Sequence, residues 1–155
     1  MSDIRNDIRR DVTRDIEALE IALRGAEAGA VLDAAAKAYP RAVALASSLG
    51  LEDQVLTHLI AERGLDIPIF TLDTGRLFDE TYSLIERTES RYGIRIRVLS
   101  PDTEELERMV QAHGMNLFRY GVAERKLCCA VRKLGPLSRA LDGRDEIGRA
   151  SCRER

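Results

Sequence analysis

Residues 67–78 read IPIFTLDTGRLF. Apolar residues run as far as Leu72, and the Asp-Thr-Gly that follows is typical of a turn. The residues after this turn predict a helix over 78–92. A strand, a polar loop and a helix in this order form the unit from which parallel sheets with crossover helices are built, so the stretch predicts an α/β fold.

The same unit recurs before and after this stretch. Further strands are predicted over residues 42–46 and 94–99, and further helices over residues 28–38 and 51–63. One more helix begins after Asp102, which is placed as an N-cap, with Glu105 positioned for a capping-box contact. This alternation predicts a doubly wound, mostly parallel sheet with right-handed crossovers.

Composition and charge narrow the class of protein. Of 155 residues, 45% are hydrophobic and 32% charged, an ordinary balance for one globular domain. A formal net charge of −2 gives no general attraction for nucleic acid or an anionic membrane, so we expect neither as a partner. The polar N-terminus and the lack of an apolar run of about 18 residues predict a cytoplasmic protein without a signal peptide. In that reducing compartment, three cysteines favour thiol or metal chemistry over disulfides.

The first of two polar loops follows the strand over residues 42–46. Residues 47–50, Ser-Ser-Leu-Gly, precede a helix whose N-terminal N–H groups and dipole can bind a phosphate-like anion. Glu52 and Asp53, in the first turn of that helix, would compete electrostatically with such an anion. Ordinary helix capping is the alternative.

The second polar loop follows Leu72. Asp73 and Thr74 can hydrogen-bond a ribose or a base, and Arg76 can meet an anionic group, although an ordinary strand-to-helix turn is the alternative. Ligands of doubly wound sheets bind beyond the carboxyl ends of the strands, where both loops are expected. The two loops together predict a nucleotide site.

Cys128 and Cys129 are adjacent within RKLCCAVRK, residues 125–133, with two basic residues on each side. Neighbouring Cα atoms lie ~3.8 Å apart, which disfavours an unstrained disulfide between them. The cations favour thiolates and offset the charge of an iron–sulfur centre. Two inert buried cysteines on a helix, with the four cations as a solvated face, are the alternative. Gly135-Pro136 is predicted to end a helix.

Three blocks together resemble the assimilatory sulfonucleotide reductases. They are ASSLGLED at residues 46–53, LDTGRLFDETY at 72–82 and CCAVRKLGPL at 128–137, within a resemblance that spans roughly residues 15–145. That family is similar in fold to the ATP pyrophosphatases, the adenine nucleotide alpha hydrolase-like proteins. It reduces adenosine 5′-phosphosulfate, or its 3′-phosphorylated form, to sulfite. The paired cysteines resemble the branch that carries a [4Fe-4S] cluster and prefers adenosine 5′-phosphosulfate.

The resemblance implies a role for each residue of these blocks. Cys128 and Cys129 would ligate iron, and Lys133 would lie near both cluster and substrate. The phosphate or phosphosulfate loop would contain Ser47, Ser48 and Gly50, and the nucleotide pocket would be lined by Leu72, Asp73, Thr74 and Gly75, beside Arg76. In the family mechanism, a cysteine thiolate attacks the sulfur of the phosphosulfate and AMP leaves. Thioredoxin or glutaredoxin then releases sulfite from the S-sulfocysteine.

Several parts of the family pattern have no match in this sequence: a fourth central strand, an arginine-rich loop, a Cys-x-x-Cys pair and a C-terminal nucleophilic cysteine. The sequence therefore predicts an N-terminal fragment, truncated before the fourth strand, without a catalytic residue and with half the cluster ligands. We expect no reductase activity and no normal cluster in a monomer. With the family strand order 3-2-1-4-5, the first strand would expose an edge near Val43 and Leu45 and invite aggregation.

The chain accordingly divides into three predicted parts. Residues 1–40 are N-terminal helices, with a helical apolar stripe at Ile4, Ile8, Val12, Ile16 and Leu19. Residues 41–145 are a partial nucleotide-binding α/β domain. Residues 146–155 resemble a translated sequencing adapter and are set aside as a non-native tail, which removes Cys152 from functional reasoning; a genuine polar tail is the alternative.

Three classes of function remain open. A truncated adenosine 5′-phosphosulfate reductase is favoured, with a reductase of the 3′-phosphorylated substrate as the alternative within the family. An ATP-pyrophosphatase-type adenylyltransferase has the same fold but uses a Ser-Gly-Gly-x-Asp-Ser-like loop, which residues 47–53 do not match. A non-enzymatic nucleotide- or iron-binding module is the third class. The sequence does not set the oligomeric state.

Overall fold

The computed structural model describes residues 16–141. Helix α1 includes residues 16–22 and so contains Ile16 and Leu19 of the predicted stripe. Ile4, Ile8 and Val12 lie outside the described residues, as does the predicted tail.

The other elements follow in strict alternation as far as α5. They are α2 (Ala28–Ala38), β1 (Leu45–Ala46), α3 (Leu51–Glu62), β2 (Ile69–Leu72), α4 (Asp79–Tyr92), β3 (Ile96–Leu99), α5 (Thr103–His113), a 3-10 helix (Leu117–Arg119), α6 (Val122–Cys129), a π-helical stretch (Ala130–Leu134) and α7 (Gly135–Leu141). Between residues 16 and 141, no helix combines the length and the apolar character needed to cross a membrane.

The sheet is parallel, as predicted. Its order is β1-β2-β3, with Ala46 opposite Phe70 and Phe70 opposite Arg97. Among the described strands, β1 pairs only with β2 and therefore forms one edge of the sheet. The predicted tendency of that edge to aggregate stays a prediction.

Each strand begins later than predicted, because the residues before it belong to other structures. The Ala42 N–H donates to the Tyr39 carbonyl at 3.1 Å in the turn after α2. Pro68 has no N–H to give to a ladder. The Ile94 N–H donates to the Glu89 carbonyl at 3.3 Å and so completes the C-terminal turn of α4. Only the ends of the apolar runs are left for the sheet.

Helices cover both faces of the sheet, because successive residues of β2 point to opposite sides. Ile69 belongs to a buried cluster with Ile60 of α3 and Ile85 of α4. Phe70 belongs to a separate buried cluster with Ala140 of α7. The predicted doubly wound arrangement is confirmed. Burial on both faces also explains why the run around β2 is apolar throughout rather than alternating.

The prediction that Gly135-Pro136 ends a helix is wrong. The chain stays helical from α6 through the π-helical stretch into α7, where Pro136 is buried. In a regular α-helix, the proline ring would collide with the carbonyl of Arg132, four residues earlier, and would leave it without a donor. The wider turn immediately before Pro136 gives the ring room and keeps the helix continuous.

We predict that Asp102→Ala lowers the free energy of unfolding by about 1 kcal/mol. The Asp102 carboxylate accepts a hydrogen bond from the Glu105 N–H at 3.0 Å, so the predicted N-cap of α5 is present, and alanine would leave that donor unpaired. Urea denaturation measures the change. Glu104→Ala removes an acidic residue from the same turn without removing the cap and should cost only a few tenths of a kcal/mol. Equal effects of the two substitutions would show that the cap does not stabilise α5.

Candidate functional site

Two loops begin side by side at the carboxyl edge of the sheet. The first connects β1 to α3 and the second connects β2 to α4. The Ser47 N–H donates to the Phe70 carbonyl at 2.8 Å, and the Asp73 N–H donates to the Leu99 carbonyl at 2.9 Å. Each ladder therefore continues into the loop. Because neighbouring strands lie about 5 Å apart, the two loops are within reach of one small ligand.

The first loop is folded around its own side chains. The hydroxyl of buried Ser47 accepts from the Leu49 N–H at 3.0 Å, and Leu49 is itself buried with a left-handed φ of 64°. Ser48 donates from both its N–H and its hydroxyl to one Asp53 carboxylate oxygen, at 2.6 Å each. A Cβ on Gly50 would meet the Ser48 hydroxyl at 3.3 Å. The predicted competition between Asp53 and an anion thus takes a definite form, since the carboxylate already holds two of the loop's donors.

The second loop is shaped by the Asp73 carboxylate. It accepts from the Gly75 N–H at 2.7 Å and from the Tyr82 hydroxyl at 3.0 and 3.1 Å. Gly75 has a φ of 70°, which favours glycine. In this structure the Asp73 carboxylate is therefore engaged with its own loop and with α4. Tyr82 was given no role from the sequence, although it closes the LDTGRLFDETY block and lies one turn into α4.

The pKa of Tyr82 is raised above the ordinary tyrosine value. Partial burial of the phenol is the largest cause, followed by the hydrogen bond to Asp73 and by the negative charges of Asp73 and Asp79. The phenol therefore stays protonated and continues to donate to Asp73 above the pH at which an exposed tyrosine ionises.

Arg76 connects the second loop to the segment after α5. Its guanidinium donates to the Met115 carbonyl and, at 3.4 Å, to Asn116 Oδ1. It also lies 4.9 Å from the centre of the Phe118 ring, in a cation–π contact. The contact of Arg76 with an anionic group stays a prediction.

Arg132 joins the same loop to the helix that carries the cysteines. Arg132 is only 5% exposed, and its Nη1 donates to the Thr74 carbonyl at 2.5 Å. Within residues 16–141, Nε is buried without a hydrogen-bond partner, and no ion pair engages the guanidinium. The interpretation of the cations as a solvated face is therefore wrong for Arg132, whereas Arg125, Lys126 and Lys133 are exposed. The available clue was its position, one helical turn beyond Cys128.

The two cysteines have different surroundings. Cys128 is 7% exposed and packs with Met109 and Leu117, whereas Cys129 is half-buried. Both thiols are free. Successive helical residues project about 100° apart, so the two side chains leave the helix in different directions.

The two cysteines have the chemistry that an iron–sulfur cluster needs, but they are only part of the number of ligands. Thiols on the same continuous helical segment as a buried arginine that has no anionic partner among residues 16–141 suit an anionic thiolate centre. A [4Fe-4S] cluster takes four thiolates. In the part of the chain that the structure describes, no three His, Cys, Asp or Glu side chains gather where they could hold a metal ion. Cys128 and Cys129 can thus provide two of the four ligands.

The structure brings some predicted residues together and leaves others apart. Ser47, Ser48 and Gly50 lie in the loop beside the one that Leu72, Asp73, Thr74, Gly75 and Arg76 begin, and Arg132 brings the cysteine helix to Thr74. Lys133 is exposed, and over residues 16–141 no hydrogen bond or ion pair joins it to either loop.

The sequence matches a known family over most of this α/β unit. The profile of the phosphoadenosine phosphosulfate reductase domain matches residues 42–148. The chain belongs to this family of sulfonucleotide reductases.

Curated relatives share the same range of residues. The chain is 50% identical over 97 residues to the adenosine 5′-phosphosulfate reductase of Rhizobium meliloti (strain 1021), covering 63% of this chain and 37% of that protein. It is 48% identical over 101 residues to the enzyme of the same name from Allochromatium vinosum, covering 65% of this chain and 40% of that protein. The chain therefore spans well under half the length of these relatives.

A solved structure shares the fold. The phosphoadenylyl-sulfate reductase from Candida auris, determined as a phosphate complex, superimposes with a TM-score of 0.68 over 82% of this chain and 61% of that chain. At 22% sequence identity, this similarity supports the α/β fold alone.

We predict that Tyr82→Phe removes a late step, above the ordinary tyrosine pKa, from the alkaline titration of the protein. A phenol whose pKa is raised by folding stabilises the fold below pH ~10, the ordinary tyrosine value, and the stabilisation is lost as pH rises through the raised value. Ultraviolet absorbance titration detects the step. Tyr120→Phe removes a tyrosine that is 73% exposed and serves as the matched control. Retention of the late step in the Tyr82 variant would exclude the Tyr82–Asp73 interaction as its origin.

Proposed function

We propose that this chain supplies the nucleotide-binding part of a reductase that converts adenosine 5′-phosphosulfate to sulfite and AMP in assimilatory sulfate reduction. The observation that carries the proposal is the Arg132–Thr74 hydrogen bond, because it sets a thiol-bearing helix against a nucleotide-type loop. The names of the curated relatives favour the same reaction. The activity is proposed for a chain as long as those relatives.

Substrate binding is proposed at the carboxyl edge of the sheet. The phosphosulfate would lie over the first loop, at Ser47, Ser48 and Gly50, and the nucleoside would lie along the second, at Leu72, Asp73, Thr74, Gly75 and Arg76. Binding at the first loop requires an anion to displace Asp53 from the Ser48 donors, which is a free-energy cost to affinity. Exposed Lys133 is free to approach the phosphosulfate, since it is not engaged elsewhere among the described residues.

The proposed reaction is a transfer of the sulfonate group to sulfur. A cysteine thiolate, which by the family resemblance lies in a C-terminal segment, attacks the phosphosulfate sulfur. The sulfur–oxygen bond to the phosphate breaks, and AMP leaves with the electron pair. A dithiol reductant, thioredoxin or glutaredoxin, then attacks the cysteine sulfur of the S-sulfocysteine and displaces sulfite. Its second thiol resolves the mixed disulfide, so that the reductant is oxidised and the enzyme thiol is restored.

Cys128 and Cys129 are proposed as two of the four ligands of a [4Fe-4S] cluster, with the other two from sequence beyond this chain. When bound, the cluster would supply an electrostatic or structural centre beside the substrate rather than electrons. Arg132 would then have the anionic partner that it lacks among the described residues. The reducing cytoplasm is the proposed location, because it keeps such thiols available.

The test of the reaction is sulfite release from adenosine 5′-phosphosulfate by a chain extended to the length of its relatives, with thioredoxin as reductant. We expect turnover with this substrate and at least about tenfold weaker kcat/KM with the 3′-phosphorylated one, which corresponds to roughly 1.4 kcal/mol of discrimination. The reverse preference would assign the chain to the alternative substrate. Release of sulfite from neither, together with ATP hydrolysis, would replace the proposal with an ATP pyrophosphatase.

For the cluster, we predict that Cys129→Ser in the extended chain removes most of the bound iron and acid-labile sulfide after anaerobic preparation. A serine hydroxyl is a poor ligand for iron–sulfur clusters, and Cys129 is accessible enough for its replacement to spare the core. Met109 belongs to the buried hydrophobic residues that pack around Cys128. Met109→Leu therefore controls for altered packing and should retain full iron. Full iron in the Cys129 variant would exclude this residue as a ligand.

A further inference from the structure

We infer that Arg132 is a positioning residue for the second loop, residues 73–76. Through its hydrogen bond to the Thr74 carbonyl, it holds this loop in one conformation against the helix that carries Cys128 and Cys129. The expected effect of Arg132 on nucleotide binding rests on the proposed function, whereas its effect on the conformation of the loop does not.

The burial of Arg132 makes its hydrogen bond to the Thr74 carbonyl important for stability. Arg132 is only 5% exposed, so its guanidinium loses most of its hydration. Within residues 16–141 the bond to Thr74 is the one hydrogen bond its side chain makes. A buried charge with a free donor is costly, so the structure gains much from keeping the single bond it has. The Thr74 carbonyl, and the turn that presents it, are therefore held firmly.

The loop leaves space for this side chain at one residue. A Cβ on Gly75 would lie 3.2 Å from Arg132 Nη1, closer than ordinary contact allows. Gly75 also has the positive φ that lets the Thr74 carbonyl turn toward the arginine. The turn and the guanidinium thus lie in close contact at Gly75.

A second arginine crosses the same boundary in the opposite direction. Arg76, from the loop, binds Met115 and Asn116 beside the 3-10 helix. That 3-10 helix packs with α5 and α6 through Leu117, Met109 and Cys128. Both arginines therefore fasten the loop to one packed unit, which also carries the thiols. A displacement of that unit is transmitted to the loop.

The first test is hydrogen exchange of the 155-residue chain, read at the amides of residues 73–76. Arg132→Met keeps an apolar side chain of similar length and removes the bond, and we expect exchange in the loop to accelerate at least about tenfold, the ratio expected from losing one charge-assisted hydrogen bond. Arg132→Lys, with charge but no fork of donors, should recover part of the protection. Amides of β2 and β3 should change little.

Arg139→Met is the matched control. Arg139 also donates from the C-terminal helical segment to a loop carbonyl, that of Ser100, and lies one element further along the chain. Its loss should leave exchange at residues 73–76 unchanged. The inference is overturned if Arg132→Met does not accelerate exchange in the loop, or if Arg139→Met does so equally.

A second pair of variants tests the contact from the loop side, and keeps the inference testable if Arg132→Met does not fold. Gly75→Ala places a methyl group against Arg132, whereas Gly93→Ala meets nothing within 4 Å at a similar φ, +63° against +70°. The first should lower the Tm clearly more than the second. In an Arg132→Met background that folds, the excess should disappear. Equal losses for both glycines in the parent chain would contradict the inference.

AMP binding, measured by calorimetry on the parent chain and the three arginine variants, separates the positioning role of Arg132 from the proposed nucleotide-binding function. If Arg132 positions a nucleotide loop, Arg132→Met weakens AMP binding several-fold, Arg132→Lys less, and Arg139→Met not at all. Accelerated loop exchange with unaltered AMP affinity would overturn the nucleotide part of the inference. If the parent chain binds no AMP, the nucleotide assignment fails, while the exchange result still decides the role of Arg132.

Discussion

The burial of β2 on both faces is the constraint from which the rest of the structure follows. Ile69 and Phe70 enter separate cores on opposite sides of the sheet, so helices must cover both sides. Parallel neighbours on both edges of β2 require every connection to cross over a face. All carboxyl ends then meet at one edge, and the polar loops after β1 and β2 have no other place to be. The site is in this sense a by-product of how one strand is buried.

Most of the fold can be predicted from the sequence, because apolar runs and turn residues are patterns within short segments of the chain. The order of elements as far as α5, the parallel sheet and the cap at Asp102 follow from such patterns. The beginnings of the strands do not, because they depend on which hydrogen-bond partner each N–H takes in the folded chain. The Ile96 N–H, for example, donates to the Glu89 carboxylate at 2.8 Å, and no pattern in residues 94–99 announces that partner. The helical segment beyond Pro136 was missed for a related reason, since a proline stops a regular helix but not one widened just before it.

The location of the candidate site could be predicted from the sequence, but the pairing of its hydrogen-bonding groups could not. The two loops and the cysteine pair stand out by residue type. Which side chain satisfies which donor does not: Asp53 takes both donors of Ser48, and Asp73 turns toward Tyr82. An arginine among four cations reads as a surface residue, and only packing shows that Arg132 is buried. Sequence patterns report the chemistry a segment can offer, whereas pairing is decided by tertiary geometry.

The π-helical stretch between the cysteines and α7 has a consequence of its own. It joins two helices that pack on different neighbours: Cys128 contacts Met109 and Leu117, while Ala140 lies with Phe70 and Leu99 against the sheet. The two ends of one continuous helical segment thus face different neighbours, and the π-helical stretch sets the rotation about the helix axis between them. Removing or adding one residue between Ala130 and Leu134 would rotate one end against the other by about 100°. The number of residues in this turn, more than their identity, therefore sets the direction in which the cysteine side chains point relative to the face of α7 that packs on the sheet.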